Sequence, residues 1–316
     1  MTSAARVPEG WRIWGALWIV YLVWGSTYLA IRISVDTIPP LLASGVRFVG
    51  AGLALYGWLA VRHGTAFVRV TAREVANAAG VGIALVGANG LVFVAEQTVP
   101  SGIAALVISS VPLWVVIMRK VAGDRVSGAA LAGVCVGFTG VAILLLPGET
   151  PSGGSAFGFV LIVIASVSWA IGTFLSPRLM LPRNSFVSTA VQMMCGGVVM
   201  LIAGLVVGEP TRVHVSAFST ASVMAFAYLV VVGSLVAFSA YVWLLQSAPI
   251  SKVSTYAYVN PVVATFLGWI VLDEAVSVTT LIGATLVVAS VAVTVREQTA
   301  GRRAESQDPA GRREAA

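Results

Sequence analysis

The sequence predicts an all-α integral membrane protein of ten transmembrane helices arranged as two inverted five-helix repeats, and three observations predict it. Hydrophobic residues make up 58% of the 316 residues and charged residues only 10%, against roughly 25% charged in a soluble domain. Such a chain has too little polarity to cover a surface facing water. The cations gather in alternate breaks between apolar runs, and the second half of the chain repeats the first at a fixed offset.

A bilayer core of about 30 Å takes roughly 20 apolar residues per helix, so the length accommodates ten crossings with short connections. Polar, proline or glycine breaks divide the chain into runs near residues 13–34, 41–61, 75–97, 102–121 and 126–146, and then 157–179, 186–207, 217–245, 251–272 and 278–295. The first run follows a charged stretch, as a signal peptide would, but it is too long for a signal and nine similar runs follow. It is read as the first membrane helix. After Arg296 the chain is polar, charged and without apolar periodicity, which predicts a disordered cytoplasmic tail over residues 297–316.

Lysine and arginine resist translocation and collect on the cytoplasmic side. With the N-terminus inside, Arg6, Arg12, Arg62, Arg69, Arg73, Arg119, Lys120, Arg125, Arg178, Arg183, Lys252, Arg296, Arg302, Arg303, Arg312 and Arg313 all face the cytoplasm, 16 of the 19 cations. Arg212 alone falls in an outer loop, and Arg32 and Arg47 lie within the first two runs. This split requires an even helix count with both termini cytoplasmic. The net charge of +6 is therefore a topology signal and not a nucleic-acid footprint. The two cysteines, Cys135 and Cys195, lie in apolar runs without a second thiol or histidine beside them and are read as packing residues.

Pro100 and Pro112 are twelve residues apart, as are Pro249 and Pro261, at an offset of 149. Gln97-Thr-Val-Pro100 parallels Gln246-Ser-Ala-Pro249, Asp124-Arg-Val-Ser127 parallels Glu274-Ala-Val-Ser277, Leu131-Ala-Gly133 parallels Leu281-Ile-Gly283, and Trp24 has a counterpart in Trp169. Five helices is an odd number, so the second copy enters the membrane from the opposite side. Inverted repeats are the architecture of many secondary transporters, whose substrate site lies near the midplane between the halves. A duplicated scaffold would carry the same repeat.

Ionisable groups at membrane depth are functional candidates, since each costs roughly 2.5–3.5 kcal/mol there on insertion scales. Arg47 lies about two turns into the second run, where its guanidinium suits a substrate carboxylate or phosphate, or a snorkelling position toward the outer surface. Arg32, nearer a helix end, reads as an interface anchor. Asn89 and Glu96 share a face of the third run; Glu96 is a candidate for a proton-coupled carboxylate, or else a carboxylate wetted at the outer surface. Lys252, Tyr256 and Asn260 recur every four residues on one face of the ninth run. Asn260 precedes Pro261, which removes a backbone hydrogen bond and exposes a carbonyl to any cavity. Trp24 and Trp169 sit half way along their runs, away from the interfaces where tryptophan usually belongs, so they suit a wall for flat or apolar molecules as well as plain packing. Gly133, Gly137 and Gly140, and Gly204 with Gly208, permit close helix approach, within the chain or in a homodimer.

Further segments stand in a recognisable order: Trp24-Gly-Ser-Thr-Tyr28 with Ile31-Arg32, Gly45-Val-Arg47-Phe48, Asn89-Gly90, Val94-Ala-Glu96-Gln-Thr-Val-Pro100-Ser-Gly-Ile-Ala104, Val111-Pro112-Leu113, Ser168-Trp169-Ala170, and Ser254-Thr-Tyr256-Ala-Tyr258-Val-Asn260-Pro261-Val262. In this order they resemble the drug/metabolite transporter superfamily with two EamA-type five-helix domains, most nearly its YedA-like branch. The resemblance divides the chain into one EamA-type repeat over residues 1–148 and another over 149–296. It implies an inner-membrane carrier that exports metabolites, amino acids or toxic compounds. It also implies glycine followed by an acidic residue before the fifth and tenth helices. Gly123-Asp124 matches, whereas Asp273 replaces the glycine before Glu274. Both positions are loop ends and are read as outside transport.

The substrate-binding candidates are thus Trp24, Arg47, Asn89, Trp169, Tyr256 and Asn260, with Glu96 for proton coupling. The expected partners are a small-molecule substrate, the bilayer and protons, with no nucleic acid. No cofactor or metal site is expected. A membrane-embedded enzyme lacks support, because His63 and His214 fall between runs and no metal-binding HExxH or nucleophile-elbow pattern is present. A passive facilitator or channel uses similar polar helix faces and stays open as the alternative.

Overall fold

The computed structural model describes residues 10–124, 126–145, 155–237, 240–241, 243–244, 248, 253 and 255–307, with side chains described as far as residue 297. Among the described residues there is no strand. Helix α1 spans Gly10–Ser34, α2 Pro40–His63, α3 Ala72–Ala95, α4 Ser101–Ile108, α5 Val111–Val121, α6 Gly128–Leu144, α7 Ala156–Leu175, α8 Ser185–Val206, α9 Thr220–Tyr228, α10 Tyr256–Leu272 and α11 Val278–Gln307. Seven spans among them, counting α4 and α5 as one, are long and apolar enough to cross a membrane; Gly128–Leu144, Thr220–Val236 and Tyr256–Leu272 are shorter apolar helices.

Local chemistry sets the ends. Thr71 and Glu74 form a reciprocal capping box at α3, and Ser127 and Asn184 accept the first free N–H groups of α6 and α8. The chain turns out of α2, α5 and α8 through Gly64, Gly123 and Gly208, each at positive φ. Asp273 takes the same left-handed conformation after α10, with φ 52°. This conformation suits the glycine that the resemblance implies and also the aspartate that stands here, because aspartate is among the few residues that tolerate this region.

Two runs are interrupted along their length, and the last helix is longer than expected. The fourth is broken at Ser109 and Ser110, whose hydroxyls turn back to the carbonyls of Leu106 and Val107 just ahead of Pro112. The eighth widens after α9 into a π-helical segment, Leu229–Val236. The last helix continues to Gln307, past residue 297 where a disordered tail was expected.

In lipid, helices associate through close packing and not through a hydrophobic driving force. The glycines provide it: a Cβ built on Gly82 would lie 2.3 Å from the Gln192 carbonyl oxygen, and one on Gly196 2.5 Å from the Gly82 oxygen, so α3 and α8 touch backbone to backbone. Gly133, Gly137 and Gly140 face Thr294, Ser290 and Gly283 of α11. Their small face is thereby taken up within the chain, and Gly204 likewise faces Leu42 of α2. Many outward-facing side chains are large and apolar, including Trp11, Trp14 and Trp18 along one stripe at the start of α1. Cys135 also faces outward, which corrects its reading as a packing residue.

The pairings interlock the two halves. α2 packs on α8, α6 on α11 and α4 on α10; α3 lies against α7 and α8, while α9 with the π segment lies against α1 and α2. α1 lies along α10, as α7 lies along α4 and α5.

Candidate functional site

The π segment gathers the most unusual side chains of the first half. Its extra residue per turn shifts which groups face inward and presents Gly233 and Ser234 to α1 and α2. The Trp24 indole N–H donates to the Gly233 carbonyl at 3.3 Å, and Arg47 Nε donates to Ser234 Oγ at 3.0 Å. Gly233 fits closely here: a Cβ would lie 3.2 Å from Thr27 Cγ2 and 3.4 Å from Arg47 Nη2, so a larger residue would push on both side chains.

Arg47 is 5% exposed. Its guanidinium lies over the rings of Phe48, at 4.8 Å, and Phe93, at 5.9 Å, and Nη1 has no hydrogen-bond partner. The ion pairs among the described residues join Asp124 to Arg119 and Arg178, so no carboxylate there pairs with Arg47. Trp24 packs in turn on Tyr241 at 5.0 Å and Tyr256 at 5.3 Å, and the two tyrosines lie 5.6 Å apart, forming an aromatic trio from three helical segments. Asn260, one turn beyond Tyr256, is buried with Oδ1 unpartnered, and its backbone carbonyl lies against Gly25. At the other end of this contact, Tyr21 and Thr255 share a hydroxyl hydrogen bond.

Trp24, Arg47, Tyr256 and Asn260 thus converge where α1, α2, the π segment and α10 meet. Asn89 joins them only indirectly: it sits one turn before Phe93 and donates to the Leu85 carbonyl of its own helix. Trp169 does not join them among the described contacts; it packs from α7 toward the core beside α3, where Ser168 donates to the Ala84 carbonyl. Lys252 lies outside the described residues. Glu96 is fully buried at the end of α3 with both carboxylate oxygens unpartnered, so the wetted-surface reading fails; Arg32 and Glu274 are its charged neighbours.

Sequence reading missed Gly233, Ser234 and Tyr241. It also missed two carboxylates that tie the halves together. Glu209 accepts the backbone N–H groups of Leu41 and Leu42 at 3.0 and 2.8 Å, and Glu274 accepts those of Ser101 and Gly102 at 2.7 and 3.1 Å. Helices α2 and α4 have no side-chain cap of their own. Each is capped instead by a glutamate from the second half, which satisfies orphan N–H groups and the positive end of the helix dipole together.

Two cavities border these elements. An apolar cleft of about 470 Å³ between α1, α9 and α10 is lined by Leu22, Val23, Ser26, Tyr228, Val263 and Phe266, with Ser26 and Tyr228 hydrogen-bonded at 2.6 Å. A smaller one of about 200 Å³ lies at the break between α4 and α5, where the Trp114 indole donates to Ser166. Among the described residues, no group of histidine, cysteine, aspartate or glutamate side chains is placed to hold a metal ion.

Residues 13–146 and 156–296 both match the EamA-like transporter family. The chain is 39% identical over 258 residues to the inner membrane transporter YedA of Escherichia coli (strain K12), covering 81% of each chain. It is 23% identical over 285 residues to a probable amino-acid metabolite efflux pump of the same organism, covering 88% of this chain and 92% of that one. A crystal structure of a 22% identical protein superposes with a TM-score of 0.60 over 90% of this chain and 96% of its own, a likeness of fold. The chain therefore belongs to the EamA-like transporter family and is a multi-pass membrane transporter.

Proposed function

We propose that this protein is a secondary active exporter of small metabolites, amino acids or toxic compounds across the inner membrane, working by alternating access between two inverted five-helix halves. The halves comprise residues 1–148 and 149–296, ten helices cross the bilayer, and both termini are cytoplasmic. The observation that carries the reading is the convergence of Trp24 and Arg47 of the first half with Gly233, Ser234, Tyr256 and Asn260 of the second. A buried charge and unpartnered amide oxygen at a seam beside irregular helix are what an intramembrane substrate site needs.

The helix pairings support the inversion. Exchanging the first five helical runs for the second five carries α3 on α7 into α9 on α1, α3 on α8 into the π segment on α2, and α1 on α10 into α7 on α4 and α5. The pairs α2 with α8, α4 with α10 and α6 with α11 map onto themselves. The break at Ser109 and Ser110 ahead of Pro112 and the Asn260-Pro261 step occupy corresponding places, as in transporters whose discontinuous helices line the site.

Proteoliposome counterflow tests this reading. Saturable uptake stimulated by internal unlabelled compound establishes a carrier; flux that rises linearly with concentration and shows no counterflow establishes a channel. Glu96, buried and unpartnered, is the proposed proton-coupling group. Glu96→Gln should abolish stimulation of export by a proton gradient while leaving counterflow measurable, and an unchanged response to the gradient removes Glu96 from the coupling.

A further inference from the structure

Arg47 carries a positive charge into a place that offers it almost no compensation. Its Nε is held by a neutral hydroxyl, two phenyl rings flank it, and Nη1 is buried without a partner. Glu96, the buried carboxylate of the same half, has Arg32 as its basic neighbour and not Arg47. A structural arginine in a bilayer is normally matched by an acidic group or by several carbonyls. What is absent among the described residues is one negative charge in hydrogen-bonding reach of Nη1.

We propose that the charge comes from the transported molecule: the substrates are organic carboxylates, whose carboxylate is taken by Arg47 while a flat or apolar body lies against Trp24, Tyr241 and Tyr256. This rests on the carrier reading above. Trp24 and Arg47 are tied to consecutive residues of the π segment, so a molecule held by the guanidinium is brought beside the aromatic trio. A carboxylate suits better than a phosphate monoester. One guanidinium neutralises one charge, and the second charge of a phosphate dianion would be left buried among rings without a counter-ion. An amine of the same shape is disfavoured, since it would bring a second positive charge next to Arg47.

The test uses the full chain in nanodiscs, with tryptophan fluorescence reporting binding of four probes of one shape: phenylacetate, phenylacetamide, phenyl phosphate and phenethylamine. Phenylacetate should bind saturably and at least about tenfold more tightly than the amide, the phosphate or the amine, the margin of one charge-assisted hydrogen bond. Arg47→Gln should lose that margin for phenylacetate and weaken binding of the amide far less, with folding checked by thermal melting. Equal binding of acid and amide by the wild-type chain, tighter binding of the phosphate or the amine, no saturable binding of phenylacetate, or full retention of its affinity in Arg47→Gln would each overturn the proposal. If Arg47→Gln does not fold, the comparison of acid with amide on the wild-type chain decides. Counterflow separates the two levels. Saturable exchange of neutral or cationic compounds only overturns this inference and leaves the carrier reading standing; flux of phenylacetate that rises linearly with no counterflow removes the carrier reading, and binding through Arg47 then stands as carboxylate recognition without carrier transport.

Discussion

Asp124 and Glu274 occupy the same place in the two repeats, each just after a left-handed residue that ends a helix, yet their carboxylates do different things. Glu274 reaches into the neighbouring half and closes on the start of α4, where it accepts two backbone N–H groups and the Ser101 hydroxyl. Asp124 stays at the rim and pairs with Arg119 of its own half and Arg178 of the other, side chains that are 22% and 38% exposed. The first fills a requirement of buried backbone; the second satisfies charges that water satisfies nearly as well. At the Glu274 end, Glu209 repeats the arrangement on α2. One end of the bundle is therefore joined by carboxylates on helix termini, and the other by the partly exposed Asp124–Arg178 pair together with hydrogen bonds from Ser127 to Glu297 and from Asn77 to the Met180 carbonyl.

The largest effects should come from the capped end. Replacing Glu209 or Glu274 with alanine leaves two backbone N–H groups of a helix terminus without acceptors, each costing about 1–3 kcal/mol when buried. Glu209→Ala should lose the more, about 3 kcal/mol or above, because Glu209 is 2% exposed and water cannot easily replace it. Both variants should lower the thermal melting midpoint of the full chain in detergent. A cysteine placed at Ser101 should also become reactive to a thiol reagent in Glu274→Ala, where the residue is fully buried now. Melting curves that match the wild type would show that these carboxylates do not hold the two halves together.

The turn residues offer a smaller, paired test. Gly123 at φ 85° and Asp273 at φ 52° share the left-handed region. Valine at either position should cost about 1–2 kcal/mol, the penalty for a Cβ in that region. Exchanging the two solutions, as Gly123→Asp or Asp273→Gly, should change stability by less than about 1 kcal/mol. Valine tolerated at one turn and not at the other would mean that the two copies end their helices differently.

The elements of this fold were legible in the sequence wherever one property sufficed. Apolar length located each run, and an arginine and a tryptophan in mid-run announced Arg47 and Trp24. What a helix touches is less legible. Asn89 and Trp169 were grouped with Trp24 by depth and face alone, but depth does not say which neighbour a face meets, and Trp169 turns out to lie on α7 beside α3. Ser234 gave no signal, being a lone serine in an apolar run; its hydrogen bond to Arg47 arises in a π-helical segment that nothing in the run announces. Glu96 looked wet because it ends a run, although Arg32 and Glu274 lie close around that end. Glu274 looked like a loop residue for the same reason. Its partner, an uncapped helix start 173 residues away, is a tertiary fact.

Asp124→Asn should have the smallest effect, and it is the most exacting check on the comparison. Both arginines bond to the same oxygen, Oδ2, at 3.2 and 2.8 Å, so the amide can retain at most a neutral version of each contact. Arg178 needs the pairing little: it also donates to the Phe174 carbonyl at 2.9 Å and stacks on the Phe174 ring at 3.8 Å, which holds it at the end of its own helix. Exposed pairs of this kind contribute about 0–1 kcal/mol. The small loss expected in dilute buffer should vanish in 1 M salt, where the screening length falls to about 3 Å, whereas the loss in Glu274→Ala should persist, since salt supplies no acceptor to a buried N–H. If Asp124→Asn instead costs as much as Glu274→Ala and keeps that cost in high salt, the rim pair holds the halves as firmly as the capped end, and the two ends of the bundle are equivalent after all.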